Sequence, residues 1–509
     1  MRRWRGMAML CSLALGCGGP LPDEGIQEDG RSRASSPSEQ EEVELTAEWG
    51  RVEPGTARLV KDIFPMAHTP PWHGPEPESL VAFRGKLYFA ANFEDGRREL
   101  WKSDGTTAGT VPVKRFLAPS GIPLYSTTLT ELTPLGSRLF FVVGDETHGR
   151  ELWVSDGTTG GTRLLKDITP GPEGSEPYRL TVVGNTLLFF RYIPGTDTTP
   201  SRHELWRSNG TEAGTVRVKD LGPETALIYS QAIVGNTLFF AFSDLEHGTE
   251  LWKTDGTEAG TGLVTDIVPG ANSSYPFHLT ALGGRVFFTA TDPVHGTTVW
   301  RTDGTAAGTE RVADLIPGTD NEYVQLLGTI GGCLYLAAPD PSDQSTRLYR
   351  LKDGTAGIHV KLVTTLPNPY SDPDASTYIT ASTVAGRKLF LALGIYGSGP
   401  APRDVQLWVT DGTDSGTKPL HSPLSTSDEF GSTLYALDGR ILFSGADGEA
   451  GLELWESDGT VRGTRQLQDI APGGTWSYPH SFIRVGSKVF FVAQDGVHGS
   501  ELWVMPLRR

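Results

Sequence analysis

Four short stretches place an Asp three residues before a His: Asp145 with His148, Asp244 with His247, Asp292 with His295 and Asp495 with His498. A carboxylate and an imidazole at this spacing can act as a metal-ligand pair or as an acid/base couple, because His changes charge near neutral pH. The competing reading is a hairpin turn in which the Asp caps backbone N–H groups and the Gly after each His takes positive φ. The turn is favoured. Each stretch offers a single His, and the corresponding stretches at Arg97-Arg98 and Ala450-Gly451 have none. No catalytic residue is assigned, since the chain lacks GxSxG, a Walker loop, HExxH and any Cys/His zinc spacing.

These turns sit inside a longer repeat, seen well in "HGRELWVSDGTTGGTRLLKDITPG" from His148 to Gly171. Its clearest mark is a Trp strand followed by a turn, with Trp101, Trp153, Trp206, Trp252, Trp300, Trp408, Trp455 and Trp503 in register and Tyr349 where one more belongs. Each unit of roughly 50 residues contains four strand candidates separated by turn residues. In the second strand the apolar residues are consecutive, as in Leu238-Phe239-Phe240-Ala241, which means burial on both faces. A four-stranded sheet covered on both sides by its neighbours is a β-propeller blade, so the fold expected is all-β.

The chain ends support a closed ring over an open solenoid. The last unit stops at "ELWVMPLRR" after its Trp strand, whereas "GTARLVKDIFP" from Gly55 to Pro65 is a fourth strand with no blade before it. Joined, they complete one blade and leave no open sheet edge. The expected domain is therefore a single propeller over residues 51–509 with nine blades. Eight is the alternative, because the unit around Tyr349 is degraded and the next carries insertions near Asn368 to Thr377 and Tyr396 to Arg403.

The motif resembles the ELWxxDGT repeat family of exported bacterial proteins, over nearly everything after residue 53. That family is defined by its repeat, so the resemblance implies a fold and an exported location, not a reaction. Within the repeat, Glu151 and Trp153 share one strand face and Leu152 the other. The eight repeated Trp residues are read as packing between blades, with an N–H that needs a partner, in preference to stacking on carbohydrate. In Ser155-Asp156-Gly157-Thr158 the Asp accepts backbone N–H bonds and the Gly takes positive φ. Asn209 replaces the Asp in one unit, which argues for a structural hydrogen bond over metal ligation.

Loops joining the second strand to the third, and the fourth to the next blade, share one rim. That rim gathers His148, His247, His295 and His498 with variable loops expected to expose Tyr178, Tyr229, Tyr275, Tyr323, Trp476 and Tyr478. Variable loops on a rigid scaffold are where binding concentrates, so this is the candidate binding surface.

The start of the chain reads as a targeting segment: Arg2, Arg3 and Arg5 precede the apolar run Met7 to Leu15. Ala14-Leu15-Gly16-Cys17 looks like a bacterial lipobox, with residues 1–16 as signal peptide and Cys17 as the lipidated residue, although Ala14 stands where that pattern usually has Leu. Gly18 lacks the Asp that resembles an inner-membrane retention signal, which points to the outer membrane of a Gram-negative cell envelope. Residues 17–50 form an acidic linker whose Gly, Ser and Pro content predicts a disordered spacer. Cys333 is then the single remaining thiol, so no disulfide forms within one chain.

The net charge of −17 becomes −20 once the three Arg of residues 1–16 are removed, which disfavours nucleic acid as a partner. The expected protein is a lipid-anchored, monomeric binding module whose rim meets a glycan or another protein. No cofactor is required, and Ca²⁺ is the one ion the acidic rim could hold. Two alternatives stand beside it: a propeller enzyme, a hydrolase or lyase acting on envelope or extracellular glycans, and a purely structural surface module.

Overall fold

The computed structural model describes residues 53–64, 76–93, 95–117, 128–196, 198–223, 230–318, 323–355, 357–369, 375–396, 404–421, 434–447, 451–473 and 475–508. The signal segment, Cys17, the acidic linker and Tyr229 lie outside these residues. Within them the chain is all-β, a propeller of nine antiparallel blades whose strands a to d run in sequence order. Blade 1 begins at Pro77, blade 2 at Thr130, blade 3 at Pro177, blade 4 at Gln231, blade 5 at Phe277, blade 6 at Gln325, blade 7 at Ser376, blade 8 at Tyr435 and blade 9 at His480. Strands a of neighbouring blades touch one another, which puts them innermost, around the axis.

The eight-blade alternative is excluded. The degraded unit forms a complete blade 6 from Gln325–Ile330, Cys333–Pro339, Thr346–Gly354 and Gly357–Leu366, and Tyr349 faces Leu336 as Trp153 faces Phe141 in blade 2. Blade 7 also closes with four strands despite its insertions. Blade 9 takes its fourth strand from the other end of the chain: Arg58–Lys61 pairs with Ser500–Arg508, with Leu59 opposite Trp503. Of the stretch expected as a strand from Gly55 to Pro65 only Arg58–Lys61 is strand, and a further short strand, Glu53–Pro54, precedes it and pairs with Leu507 and Arg508. Gly55 marks the break; its N–H donates to the Pro506 carbonyl at 2.8 Å, and a Cβ there would meet Pro506 at 2.8 Å.

The core lies between blades rather than within them. Strand b of blade 2 buries Phe140 toward blade 3 and Phe141 toward blade 1, both fully, and each such ring contributes about 2–3 kcal/mol of apolar burial. The consecutive apolar run of strand b therefore serves two interfaces at once. Trp153 joins this packing edge-on to Phe116 of blade 1, with ring centroids 4.9 Å apart. Trp408 fills the same place between blades 6 and 7, and Trp455 between blades 7 and 8, both buried. Trp300 packs against the cluster between blades 4 and 5 but is only half-buried, as is Trp206 between blades 2 and 3. Packing between blades thus holds for these indoles, though two of them keep part of the ring in contact with solvent.

A lysine latch covers some of these rings. Lys114 of blade 1 lies over the Trp153 indole at 5.0 Å and donates to the Thr162 carbonyl of blade 2 at 3.0 Å. The latch recurs where Lys61 covers Trp101 and where Lys166 covers Trp206. Such cation–π contacts contribute about 0.5–1 kcal/mol each.

The turn after the Trp strand is held by its own side chains. In blade 2, Asp156 Oδ1 accepts the N–H of Thr158 at 2.9 Å and its hydroxyl at 2.7 Å, while Thr158 Oγ1 accepts the Gly161 N–H at 3.0 Å. Beneath them Ser155 Oγ and Thr162 Oγ1 pair at 2.7 Å, buried. Gly157 has φ 90, as its first-Gly place in the motif requires. The second Gly answers a different need: a Cβ on Gly161 would sit 2.1 Å from Asp156 Oδ1. Asn209 makes the same two bonds to Thr211, so the motif uses the oxygen and not the charge.

Two kinds of register shift shape the blades. The c–d pairing shifts beside the Trp in blade 2, between Leu164 and Lys166, and this brings the following Asp167 alongside Glu151. The a–b pairing shifts in blades 1, 2, 3, 5 and 9 at a residue with positive φ: Ser79, Glu131, Arg179, His278 and Ser481. In blades 3 and 5 the N–H groups freed by the bulge find acceptors toward the preceding blade: Glu131 accepts from Arg179 and Leu180 at 3.2 and 3.1 Å, and Ser230 from Leu279 at 3.0 Å. In blade 9 the Arg484 N–H, beyond the bulge, donates to Tyr435 of blade 8 at 2.8 Å. Polar side chains thus fasten one inner strand to the next.

Candidate functional site

The Asp/His turns join strands b and c. Asp145 Oδ1 accepts the N–H groups of Thr147 and His148 at 2.9 and 2.8 Å, and His148 Nδ1 lies 3.0 Å from the carboxylate. Asp244, Asp292 and Asp495 repeat this geometry with His247, His295 and His498. The Gly after each His has positive φ, between 60 and 75. Burial works against the Asp145 charge, but the bonds from His148 outweigh it and hold the carboxyl below its ordinary range. The Asp244 hydrogen bond raises His247 above its usual value. Each couple is complete within its own turn. Among the described residues no three His, Cys, Asp or Glu side chains converge on a point that could hold a metal.

The loops from strand d to the next blade are fastened by the glutamates of the Trp strand. Glu151, fully buried, accepts the Ile168 and Thr169 N–H groups at 3.2 and 2.9 Å and the Ser175 hydroxyl at 2.5 Å. Glu250 holds Ile267, Val268 and Ser274; Glu453 holds Ile470 and Ser477; Glu501 holds Ile63 and Phe64. Burial is the main cause that pushes Glu151 and Glu250 up to about 7 and Glu501 up to about 8, against the pull of these donors. The sequence reading placed these Glu on a strand face and missed the clamp. The signal was present in the Ser two residues before Pro, as in Ser175-Glu176-Pro177 and Ser274-Tyr275-Pro276.

Committing Glu to the loop has a cost at the neighbouring indole. Trp101 and Trp206 donate to Glu99 and Glu204 at 2.8 and 2.9 Å, yet the N–H groups of Trp153 and Trp252 are buried with no partner. The expectation that every packing Trp finds an acceptor is therefore corrected. In blades 2 and 4 the glutamate faces the loop instead. Where the strand carries no Glu, the residue two before the indole still serves it: Trp300 donates to Thr298 Oγ1 at 3.0 Å and Trp408 to Gln406 Oε1 at 3.1 Å. Trp503, whose Glu501 is committed to the loop, donates to the Ala493 carbonyl at 3.0 Å. Trp455, beside the equally committed Glu453, lies over Phe443 with ring centroids 6.3 Å apart.

The same loops present the rim aromatics, and the structure separates those expected to be exposed. Tyr275, Tyr323 and Trp476 are 65%, 46% and 44% exposed. Tyr178 is half-buried, packed on Phe190 and bonded through its hydroxyl to His203 Nδ1 at 2.6 Å, so it belongs to the blade 3 packing. Tyr478 is also half-buried, edge-on to Trp476 with centroids 5.3 Å apart. Two patches result. One lies on blades 5 and 6, where Tyr323 bonds His278 Nε2 at 3.2 Å, and the other on blade 9. His278 is pushed down to about 4 by burial. In the blade 9 patch burial opposes a charge on His480, but Glu76 at 3.4 Å raises it above its usual value.

Tyr275 and Tyr478 share an unusual backbone, with φ 50 and 43 just before a Pro. Their N–H groups donate to the Thr249 and Leu452 carbonyls at 3.2 Å each. Glu176 at the same loop position has φ 49, so the loop imposes the conformation and the side chain varies. Positive φ in a bulky residue costs about 1–3 kcal/mol and persists only where its surroundings hold it.

No described protein family matches the chain, and no curated protein matches it. Solved structures resemble the chain only at low identity and low TM-score. A structure from a study of two prolyl endopeptidases is 14% identical with a TM-score of 0.40, covering 75% of this chain and 56% of its own. The chain thus spans little more than half the length of that protein. The β-propeller domain of the Trilobed protease from Pyrococcus furiosus is 13% identical with a TM-score of 0.36, covering 65% of this chain and 95% of its own. An oligogalacturonate lyase in complex with manganese is 13% identical with a TM-score of 0.37, covering 90% of this chain and 98% of its own. Likeness at this level carries no fold or activity over to this chain.

Proposed function

We propose that this protein is a binding module of the bacterial cell envelope, anchored by lipid at Cys17 and using the rim of Ser-x-Pro loops to hold a glycan or a protein. It is read as a member of the ELWxxDGT repeat proteins of the outer membrane. The observation that carries this reading is Tyr275, a large ring left 65% exposed on a backbone held at φ 50. An exposed aromatic side chain carried on a backbone that is already fixed leaves less of the loop to be ordered on binding. Its apolar face and hydroxyl suit the mixed apolar and polar surface of a sugar or a peptide.

The test is a thermal-shift and pull-down screen of the purified protein against peptidoglycan, lipopolysaccharide and capsular glycans, with envelope proteins as a second pool. A ligand is expected to raise the melting temperature in proportion to its concentration over Kd. The double variants Tyr275→Ala/Tyr323→Ala and Trp476→Ala/Tyr478→Ala are expected to fold normally, and one of them to bind at least tenfold more weakly. Unchanged binding by both would place the site elsewhere.

A further inference from the structure

The clamping glutamates do not all have the same neighbours. In blade 1 the strand d residue beside Glu99 is Arg115, whose Nε lies 2.5 Å from Glu99 Oε1. In blade 3 Glu204 is flanked by Arg191 at 3.2 Å and Arg217 at 2.9 Å. In these blades the chain supplies its own cation. Blade 3 also places Asp220 opposite Glu204, with Arg202 bonded to it. In blades 2, 8 and 9 an aspartate again stands near the glutamate, Asp167 by Glu151, Asp469 by Glu453 and Asp62 by Glu501, and among the described residues no Arg bridges these glutamates.

At the blade 9 pair one buried oxygen has no donor. Glu501 Oε2 is unpartnered on a fully buried side chain, while its Oε1 accepts the Ile63 and Phe64 N–H groups. Glu453 is supplied more fully, by the Ile470 and Ala471 N–H groups and the Ser477 hydroxyl. Asp62 lies within hydrogen-bonding reach of Glu501, and once both carboxyls are ionised neither can donate to the other. Asp167 Oδ1 in blade 2 is likewise buried and without a partner. Asp62 and Asp469 are themselves exposed, which leaves the pairs open to solvent from one side.

We propose that Asp62 and Glu501 hold a divalent cation that fastens the closing strand of the ring. Paired carboxylate oxygens are ligands for a hard ion such as Ca²⁺ or Mg²⁺, and the positive charge replaces the Arg used in blades 1 and 3. With two side-chain carboxylates per site, water and backbone oxygens complete the shell. Affinity is expected in the weak extracellular range, with Kd on the order of 10⁻⁴–10⁻³ M. Blade 9 makes the ion consequential, because Asp62 and Glu501 belong to opposite ends of the chain. An ion there crosslinks the N-terminal strand to the C-terminal one. The inference is independent of the rim ligand proposed above.

The purified protein at pH 8 is compared in EDTA, CaCl₂ and MgCl₂ by thermal melting and by amide hydrogen exchange. Ca²⁺ at about 10 mM is expected to raise the melting temperature by about 2 degrees and to slow exchange in Arg58–Phe64. Asp62→Asn is expected to lose the slowed exchange at Arg58–Phe64 and to melt higher than the parent in EDTA, because carboxylate repulsion at that site is relieved. Being exposed, Asp62 can be changed without threatening folding; Glu501→Gln then checks the buried partner for the same loss. Identical melting and exchange of the parent in every ion would overturn the proposal, and a shared proton would then fill the gap between the carboxylates. Protection of Arg58–Phe64 by Ca²⁺ that survives in Asp62→Asn would overturn it too.

Discussion

At the scale of single residues, what decides a group's role is which donors and acceptors its turn brings to it. The Asp of each Asp/His couple is consumed by two N–H groups and an imidazole three residues on, and the spacing alone already favoured that outcome. His278 could not be read this way. It occupies a positive-φ bulge on strand a, bonds Tyr323 from the next blade, and is pushed down to about 4 by burial. Its unfolded value is about 6.5, so between pH 6.5 and 4 the unfolded chain binds a proton that the folded chain refuses. Stability contributed by the neutral ring is therefore complete above about pH 6.5 and falls as the medium is acidified toward 4. The loss at the acid end is on the order of 2 kcal/mol after allowance for partial solvation. Urea melts at pH 7 and pH 4.5 are expected to show a smaller difference in His278→Asn than in the parent. An equal difference in both would remove His278 from this account.

At the scale of elements, the turn after the Trp strand shows how a short motif specifies geometry. Its Asp and first Gly were assigned their parts from residue type alone, but the Thr and the second Gly were not. The need for that Gly arises from the seat of the Asp carboxylate, which a Cβ would enter at 2.1 Å in the case of Gly161 and Asp156. Gly161→Ala is expected to destabilise the protein by about 1–3 kcal/mol, because the carboxylate must leave its donors or the turn must open. Gly160→Ala next to it meets nothing within 4 Å and is expected to be nearly neutral. Chemical denaturation of the two variants side by side tests the pair. The glutamate clamp belongs to the same scale. In blades 2, 4 and 8 its partners lie 17 to 24 residues away in the loop, in blade 9 at the other end of the chain, and the glutamates that stay with the indole, Glu99 and Glu204, are those an Arg contacts.

At the scale of the whole molecule, one short segment closes a ring of nine blades. Arg58–Lys61 covers the outer edge of Ser500–Arg508, and Ile63 and Phe64 donate to the buried Glu501. An open sheet edge is a template for pairing with another chain. Removal of residues up to Phe64 is therefore expected to leave a protein that self-associates through blade 9, seen as dimers or larger species by size-exclusion chromatography with light scattering. A monomeric, fully stable product would show that closure does not need the N-terminal strand. The separation of the rim aromatics into patches on blades 5 and 6 and on blade 9 also belongs here, since neighbours on a ring follow from blade number and not from loop composition.

Repetition made the architecture legible in the amino-acid sequence itself. A Trp strand, a doubly buried apolar strand and an Asp-Gly turn recur often enough that period, strand count and ring closure follow from short-range patterns. Even the degraded unit at Tyr349 keeps that pattern, and it folds as a full blade. What only the tertiary structure decided is how residues of different blades meet. Tyr178 turned inward onto His203 while Tyr275 stayed exposed, Trp153 lost its acceptor while Trp101 kept one, and Asp62 came to lie against Glu501. The physical reason is range. Turns and strands are set by torsions and bonds a few residues apart, whereas exposure, charge balance and orphaned oxygens depend on which side chains the closed ring packs together from distant parts of the chain.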